Sequence, residues 1–362
     1  MNLDRLAASL VVIGFDGHEV PAEAAELLDR GVSGAILFKR NIGSPAEVAA
    51  LCASLKRRAA RPFLLCVDQE GGRVARLREG FTALPPMRRL GLLGDETLAE
   101  GVGRLLGEEC RAVGFDIDFA PVVDVDSNPQ NPVIGDRSFG RDPELCGRLG
   151  AAVVRGLQAA GVAACGKHFP GHGDTLQDSH LTLPRLPHQL DRLRAVELPP
   201  FAALVRADVA SVMTAHVVFE ALQPEVPATF SAKALGLLRG EMGFEGVIIS
   251  DDLEMAAIAE RWPLDEAAAQ AVAAGCDLLL VCHRADRQAH AIDGVRRAAE
   301  KSADARARLV AAAARVTALR NRWAAAPAPF DSGRLRQPWM VDLTERIGGV
   351  VAPASDPTSA AG

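Results

Sequence analysis

The chain has 362 residues, of which 49% are hydrophobic, so it is long enough for one large α/β barrel or two modest domains. It carries 40 lysines and arginines against 46 aspartates and glutamates, which gives a formal charge of −6. No run of basic side chains could follow a phosphate backbone, so we expect no nucleic-acid partner. The opening stretch, MNLDRLAASLVVIGFDGHEV, has an apolar run too short for a membrane span and no cleavage site, which predicts a first strand and not a signal segment.

The seven cysteines are scattered through apolar stretches and form no C-x-x-C pair. An odd number of dispersed cysteines indicates reduced thiols and a cytoplasmic location. The spacing gives no signal for structural zinc or for a thioredoxin-type redox motif. Because Cys66 and Cys165 lie inside predicted strands, we expect buried apolar side chains there and not nucleophiles.

Eight short apolar runs follow one another along the chain and predict eight strands. The runs span residues 9–15, 34–38, 63–68, 115–125, 163–169, 210–217, 246–253 and 277–282. Most are separated by alanine- and leucine-rich segments with helical spacing, such as PAEVAALCASLKRRA. Alternating strands and helices imply a parallel sheet, and eight such units favour a closed (β/α)8 TIM barrel. An open doubly wound sheet is the alternative, weakened because no glycine fingerprint of the dinucleotide type follows the first strand.

We assign residues 1–325 to a single barrel domain. Its last helical pattern, ARARLVAAAARVTALRNRW, is followed by sequence rich in proline, alanine and serine. That composition predicts a loosely ordered C-terminal tail over residues 326–362. We expect no second domain and no long internal repeat.

Ionisable side chains stand at the C-terminal ends of five predicted strands, where a barrel of this kind carries its chemistry. They are Asp68, Asp124, Lys167, His168, His216, Asp251 and Asp252. Isolated buried charge is costly, so packing alone does not explain them. Asp252 precedes a helical pattern and is predicted to cap that helix. Asp251 is predicted to point into the mouth of the barrel and to work on substrate, whereas His216 is either a core histidine or a support for a neighbouring group.

Two glycine-bearing loops add further charged side chains. In VDQEGGRVARL, Asp68 precedes a glycine pair that is followed by Arg73 and Arg76. A carboxylate and guanidinium groups are natural hydrogen-bonding partners for the hydroxyl groups of a sugar. In VIGDRSFGRDP, taken alone, Arg137 fits a surface arginine paired with Asp136 slightly better than a functional residue.

The segment GKHFPGHGDTLQDSH begins as the fifth strand and continues as a long polar loop. Asp178 and His180 are two residues apart, which allows the carboxylate to hold one imidazole nitrogen and leaves the other for proton transfer near neutral pH. His168, His172 and Asp174 are also close in sequence, and a metal site on them is an alternative. A glycine-rich loop is, however, a poor platform for fixed ligand geometry.

These motifs, in this order and at this spacing, resemble the bacterial β-N-acetylglucosaminidases of cell-wall recycling in glycoside hydrolase family three. The resemblance covers about residues 5–325, and the histidine-loop motif is its most specific part. It implies a (β/α)8 barrel and a retaining two-step hydrolysis with a covalent glycosyl-enzyme on Asp251. It also implies His180 as the acid/base, assisted by Asp178, in place of the usual carboxylic acid. For binding of the N-acetylglucosamine ring it implies Asp68, Arg76, Arg137, Lys167 and His168.

The resemblance further implies a muropeptide fragment as substrate: N-acetylglucosamine β-1,4-linked to anhydro-N-acetylmuramic acid, with or without peptide. It implies no metal and no organic cofactor. We expect a cytoplasmic monomer whose partner is this small carbohydrate, without nucleic-acid or membrane binding.

Three alternatives stay open: a phosphorylase in which phosphate replaces water, a metal-dependent barrel hydrolase, and a non-catalytic muropeptide sensor. The presence of both Asp251 and the Asp178–His180 pair argues against the sensor, because binding alone requires neither. Since the loop Gly171–His180 is rich in glycine, we also predict that it moves and brings His180 to the scissile bond only when substrate is present.

Overall fold

The computed structural model describes residues 2–59, 61–179 and 181–348. Eight parallel strands close into a barrel, which confirms the predicted (β/α)8 fold. The barrel strands are β1 (Val11–Ile13), β2 (Gly34–Ile36), β3 (Leu64–Val67), β4 (Ile117–Asp118), β5 (Ala163–Phe169), β6 (Ser211–Thr214), β7 (Val247–Asp252) and β8 (Leu278–Val281). Each strand pairs with the next along the chain, and β8 closes the barrel on β1.

The α-helices of the described residues surround this barrel. They are α1 (Leu3–Ala8), α2 (Ala22–Arg30), α3 (Pro45–Ala59), α4 (Arg88–Leu93), α5 (Glu96–Ala112), α6 (Pro143–Ala159), α7 (Leu190–Ala195), α8 (Leu198–Arg206), α9 (Ala232–Gly236), α10 (Ala256–Ala259), α11 (Leu264–Ala274), α12 (Ala285–Lys301), α13 (Ala303–Trp323) and α14 (Pro338–Ile347). None of the helices in the described ranges is long and apolar enough to span a lipid bilayer.

Strand interiors and the inner faces of the helices form the core. Cys66 and Cys165 are fully buried there, as predicted, and all seven cysteines are buried and free. Helices α5 and α6 approach closely: a Cβ at Gly103 would lie 2.2 Å from the carbonyl oxygen of Val153, so this contact requires glycine.

The fourth strand is shorter than the predicted run of residues 115–125. Its regular ladder covers only Ile117–Asp118, and Pro121, which has no N–H to donate, follows it. The chain nevertheless continues beside β5, where the N–H of Val123 donates to the carbonyl of Lys167 at 2.9 Å. This segment delivers Asp124 to the same end of the barrel as Lys167.

Two short strand pairs lie outside the barrel and shape its open end. Gln69–Gly71 pairs antiparallel with Val74–Ala75 in the loop after β3. Arg185–Leu186 pairs in parallel with Val218–Phe219, which joins the loop after β5 to the loop after β6.

The prediction of a loosely ordered tail does not hold for helix α14, because this helix packs its apolar face onto the domain. Met340 is fully buried, and Leu343 lies against the Cα position of Gly101 on α5. The apolar residues Met340, Leu343 and Ile347 recur at helical spacing, a pattern that the proline- and serine-rich composition around them obscures. Residues 349–362 lie outside the described part of the chain.

Candidate active site

A cavity at the C-terminal ends of the strands gathers most of the residues that the sequence singled out. Its lining includes Asp68, Arg76, Arg137, Lys167, His168 and Asp251, together with His172, Ser179 and His283. These side chains come from the ends of β3, β5, β7 and β8 and from three loops. The structure thus brings them together at the face of the barrel where chemistry is expected.

One wall of the cavity is a network of buried charges. The Nζ of Lys167 lies 2.8 Å from Oδ1 of Asp68 and 2.7 Å from Oε1 of Glu70. The guanidinium of Arg137 donates two hydrogen bonds to Glu70, each of 2.8 Å, and Arg76 lies 3.4 Å from Asp68. Glu70, 3% exposed, therefore bridges two of the predicted sugar-binding cations, a role that sequence reasoning missed.

The charges of this wall stabilise one another. Burial raises the pKa of Glu70, but the nearby Arg137 and Lys167 cations outweigh it and hold that pKa well below its ordinary value. Burial likewise raises the pKa of Asp68, and Lys167 brings the net shift downward. Burial lowers the pKa of Lys167, yet the two carboxylates raise it overall. The network therefore stays charged at neutral pH and its donors and acceptors are fixed in place.

A small hairpin holds the Glu70 side of the wall in position. The N–H of Gln69 donates to Oδ1 of Asp118 at 2.9 Å, and the Gln69 amide makes two hydrogen bonds of 2.9 Å with the backbone of Leu77. Gly71 and Gly72 have φ values of +91° and +57°, which a side chain rarely adopts, so the turn explains the glycine pair of the motif. The hairpin thus fixes the charged residues on either side of the turn.

The surface pairing of Arg137 with Asp136, favoured from their loop alone, is wrong. Arg137 is 4% exposed and points to Glu70, whereas Asp136 lies 2.9 Å from Nε of Arg73. The loop buries Arg137 because Glu70 offers it a bidentate carboxylate.

Lys167 and His168 both reach the cavity although they are adjacent on a strand. The ladder between β5 and β6 is irregular between Gly166 and Phe169, which allows both side chains to turn to one side. Asp124 fixes the His168 ring through Nδ1 at 2.7 Å and also accepts the N–H of His172 at 2.7 Å. Burial raises the pKa of Asp124, but the adjacent His168 lowers it overall.

The side chains of the alternative metal site have separate partners. His172 Nδ1 lies 2.9 Å from the Thr175 hydroxyl, and its Nε2 lies 2.9 Å from the Ser179 hydroxyl. Asp174 bonds instead to His188. Within residues 2–59, 61–179 and 181–348, no group of three or more His, Cys, Asp and Glu side chains is arranged to hold a metal ion.

Asp251 lines the cavity at the end of β7, and the N–H of Asp252 donates to its Oδ1 at 2.8 Å. The fully buried His216 supports the same strand end, with Nε2 3.0 Å from the carbonyl oxygen of Asp252 and Nδ1 2.8 Å from the Thr229 hydroxyl. Of the two roles predicted for His216, the structure therefore favours the one in which it supports a neighbouring group.

The prediction that Asp252 caps a helix is wrong. Helix α10 begins only at Ala256, because residues 253–255 form a turn first. The Asp252 carboxylate accepts the N–H groups of Glu254 and Cys282 at 3.0 and 3.3 Å and lies 3.1 Å from Nε2 of His283. It therefore ties the end of β7 to the end of β8.

Asp178 is half-buried in the loop after β5, and its carbonyl accepts the N–H groups of Leu181 and Thr182, both at 3.0 Å. His180 lies outside the described residues. The Asp178–His180 pair and the movement of this loop stay predictions.

A barrel with a carboxylate at the end of β7 and a wall of buried charges beside it has the arrangement expected of a glycoside hydrolase. Residues 3–319 match the family described as the glycosyl hydrolase family 3 N terminal domain. The chain belongs to glycosyl hydrolase family 3.

Three relatives are especially informative. A protein of Stenotrophomonas maltophilia named beta-hexosaminidase is 43% identical over 295 residues, which are 79% of this chain and 87% of the relative. A glycoside hydrolase family 3 beta-N-acetylglucosaminidase from Paenibacillus superposes with a TM-score of 0.91 at 44% identity, over 96% of this chain and 68% of that one. NagZ from Neisseria gonorrhoeae, in complex with N-trifluoroacetyl-D-glucosamine, gives 0.77 at 34% identity, over 93% of this chain and 96% of that one.

Proposed function

We propose that this protein is a retaining exo-β-N-acetylglucosaminidase that removes terminal N-acetylglucosamine from short β-1,4-linked muropeptide fragments. The observation that carries the proposal is the shared cavity: Asp251 lines it together with a fixed wall of charged hydrogen-bonding groups. The names of the Stenotrophomonas and Paenibacillus relatives and the amino-sugar ligand of the gonococcal protein support the substrate class.

The wall suits a sugar ring because Asp68 and Lys167 each keep hydrogen-bonding capacity for hydroxyls. Asp68 accepts hydrogen bonds from Lys167 and Arg76, and a carboxylate has about four lone-pair sites. The Lys167 ammonium has three donors, two of which meet Asp68 and Glu70. Because these groups are buried and mutually paired, they need little reorganisation when a ring enters.

In the first step a bond forms between an Asp251 carboxylate oxygen and C1 of the sugar, while the bond from C1 to the glycosidic oxygen breaks. The departing oxygen takes a proton from His180, the acid/base that the sequence motif assigns, with Asp178 as its partner. In the second step His180 takes a proton from water, the water oxygen bonds to C1, and the bond from C1 to Asp251 breaks. Net retention at C1 follows from two inversions.

We further propose a cytoplasmic monomer that acts in peptidoglycan recycling, with GlcNAc-anhydroMurNAc as the minimal substrate. All seven cysteines are free and buried, which suits a reducing compartment. Burial raises the pKa of Cys66 well above its ordinary value, so this thiol stays protonated and unreactive beside the site.

The test is hydrolysis of an aryl β-N-acetylglucosaminide by the wild type, by Asp251→Asn, and by the matched surface variant Asp304→Asn on α13. We expect turnover in the presence of a chelator, its loss in Asp251→Asn, and no change in Asp304→Asn. Full turnover by Asp251→Asn would overturn the assignment. Phosphate dependence, with a sugar phosphate as product, would move the reaction to a phosphorylase.

A further inference from the structure

The polar loop after β5 has two arms that are anchored on different neighbours. In the outgoing arm, residues 171–175, the His172 carbonyl accepts the side-chain amide of Asn131 at 2.8 Å. In the returning arm, residues 183–188, the strand Arg185–Leu186 pairs with the loop after β6. The outgoing arm therefore follows the loop after β4, and the returning arm follows the loop after β6.

One side-chain pair joins the two arms directly. A carboxylate oxygen of Asp174 and Nε2 of His188 are within hydrogen-bonding distance. The other carboxylate oxygen of Asp174 accepts the Ser127 hydroxyl at 2.9 Å, and the Asp174 carbonyl accepts the Asn128 amide at 3.2 Å. Because Asp174 is held on its other sides, its contact with His188 adds a direct tie between the outgoing arm and the returning arm, which the strand pairing also anchors. We call this pair the 174–188 clasp.

The described residues between the arms differ in burial: Ser179 is buried, whereas the two leucines are exposed. Leu176 and Leu181 are 66% and 67% exposed, and Asp178 is half-buried. The Ser179 hydroxyl lies 2.9 Å from Nε2 of His172. This contact anchors Ser179 to the outgoing arm, to which His172 belongs. The placement of Asp178 and Ser179 therefore depends on the separation of the two arms.

We propose that the 174–188 clasp is a positioning pair for proton transfer, because it holds the two arms at the separation that presents Asp178 correctly. The inference rests on the proposed function, in which the residue that carries the proton is His180. Asp174 and His188 act through the loop: neither is among the described residues that line the cavity.

The test compares His188→Ala with wild type on two aryl β-N-acetylglucosaminides, one with an acidic dinitrophenol and one with a weakly acidic phenol as leaving group. The dinitrophenol departs with little help from a proton, so its kcat/KM reports the sugar site and Asp251. For the weakly acidic phenol we expect kcat/KM to fall about tenfold, a part of the ~100-fold or more that a general acid supplies. The dinitrophenyl substrate should change by less than about twofold, since the clasp does not touch the cavity wall.

Two further variants sharpen the result. His188→Gln should restore most of the lost activity, because its side-chain amide can still donate to Asp174. The double variant Asp174→Asn/His188→Ala should lose no more than His188→Ala alone, because both changes break the same contact. The matched control His290→Ala, at an exposed position on α12, should leave both substrates unchanged.

An equal loss on both substrates would show a merely structural role and would overturn the proposal, as would no loss on either. His180→Ala on the same two substrates tests the underlying function separately. If His180→Ala shows no leaving-group dependence, the acid/base assignment itself fails. If His180→Ala shows the dependence and His188→Ala does not, the clasp proposal alone fails.

Discussion

The two sides of the cavity contain similar polar residues but are built in opposite ways. On one side, in the charged wall, Glu70 and Lys167 are buried and joined by a 2.7 Å ion pair. On the other side, in the loop after β5, the described tip exposes Leu176 and Leu181 and is held mainly through its arms. The comparison indicates that the wall proposed to bind the sugar is preorganised, whereas the loop proposed to move a proton exposes more of its described residues.

The largest effect should come from breaking the rigid side with Glu70→Ala. This change leaves Lys167 and Arg137 buried without their shared carboxylate, and breaking a buried ion pair costs about 3–5 kcal/mol. We expect the free energy of unfolding, measured by urea titration, to fall by that amount, and KM for the aryl substrate to rise.

The matched control for Glu70 is Glu300→Ala, which breaks a partly exposed pair with Arg296 on α12 at 2.6 Å. This change should alter the free energy of unfolding by less than about 0.5 kcal/mol. A loss at Glu70 no larger than the loss at Glu300 would show that the buried network does not stabilise the fold.

A smaller effect, in pH dependence, should come from His172 at the base of the loop. Burial first, and then the neighbouring His168, lower the pKa of His172 from 6.5 to about 4. The unfolded chain therefore takes up this proton first as the pH falls. The stabilisation is complete above the unfolded pKa and is lost as the pH falls toward about 4, by roughly 3 kcal/mol. Urea titrations between pH 7 and pH 4 should give a shallower decline for His172→Gln, and identical declines would contradict the assignment.

The smallest effect should come from the exposed tip. Leu176→Ser and Leu181→Ser remove no buried contact, so each should change the free energy of unfolding by less than about 0.5 kcal/mol. Leu183→Ala, in the buried start of the returning arm, should cost about 2–5 kcal/mol and serves as the comparison. Thermal melting of the three variants measures this difference in stability. A large loss of stability in Leu176→Ser would show that the tip is as firmly packed as the charged wall.

The sequence predicts the barrel well because each strand is a short apolar run and the runs alternate with helical patterns. It also predicts that Asp68, Lys167, His168 and Asp251 line the cavity, since the C-terminal ends of parallel strands meet at one face. The role of Glu70 was not predictable in this way, because its partner Lys167 comes from β5 and its partner Arg137 from the loop after β4, and only the fold brings them together. The cap assigned to Asp252 failed for a similar reason: its partner His283 belongs to a different strand end.

The central claim is that Asp251 forms a covalent bond to the sugar. The direct measurement is to trap that species with a fluorinated N-acetylglucosaminyl fluoride, which forms the glycosyl-enzyme faster than water removes it, and to map the label by peptide mass spectrometry. We expect one added sugar per chain, on the peptide that contains Asp251, and no label in Asp251→Asn. A label on another residue, or turnover of the reagent without any trapped enzyme, would contradict it.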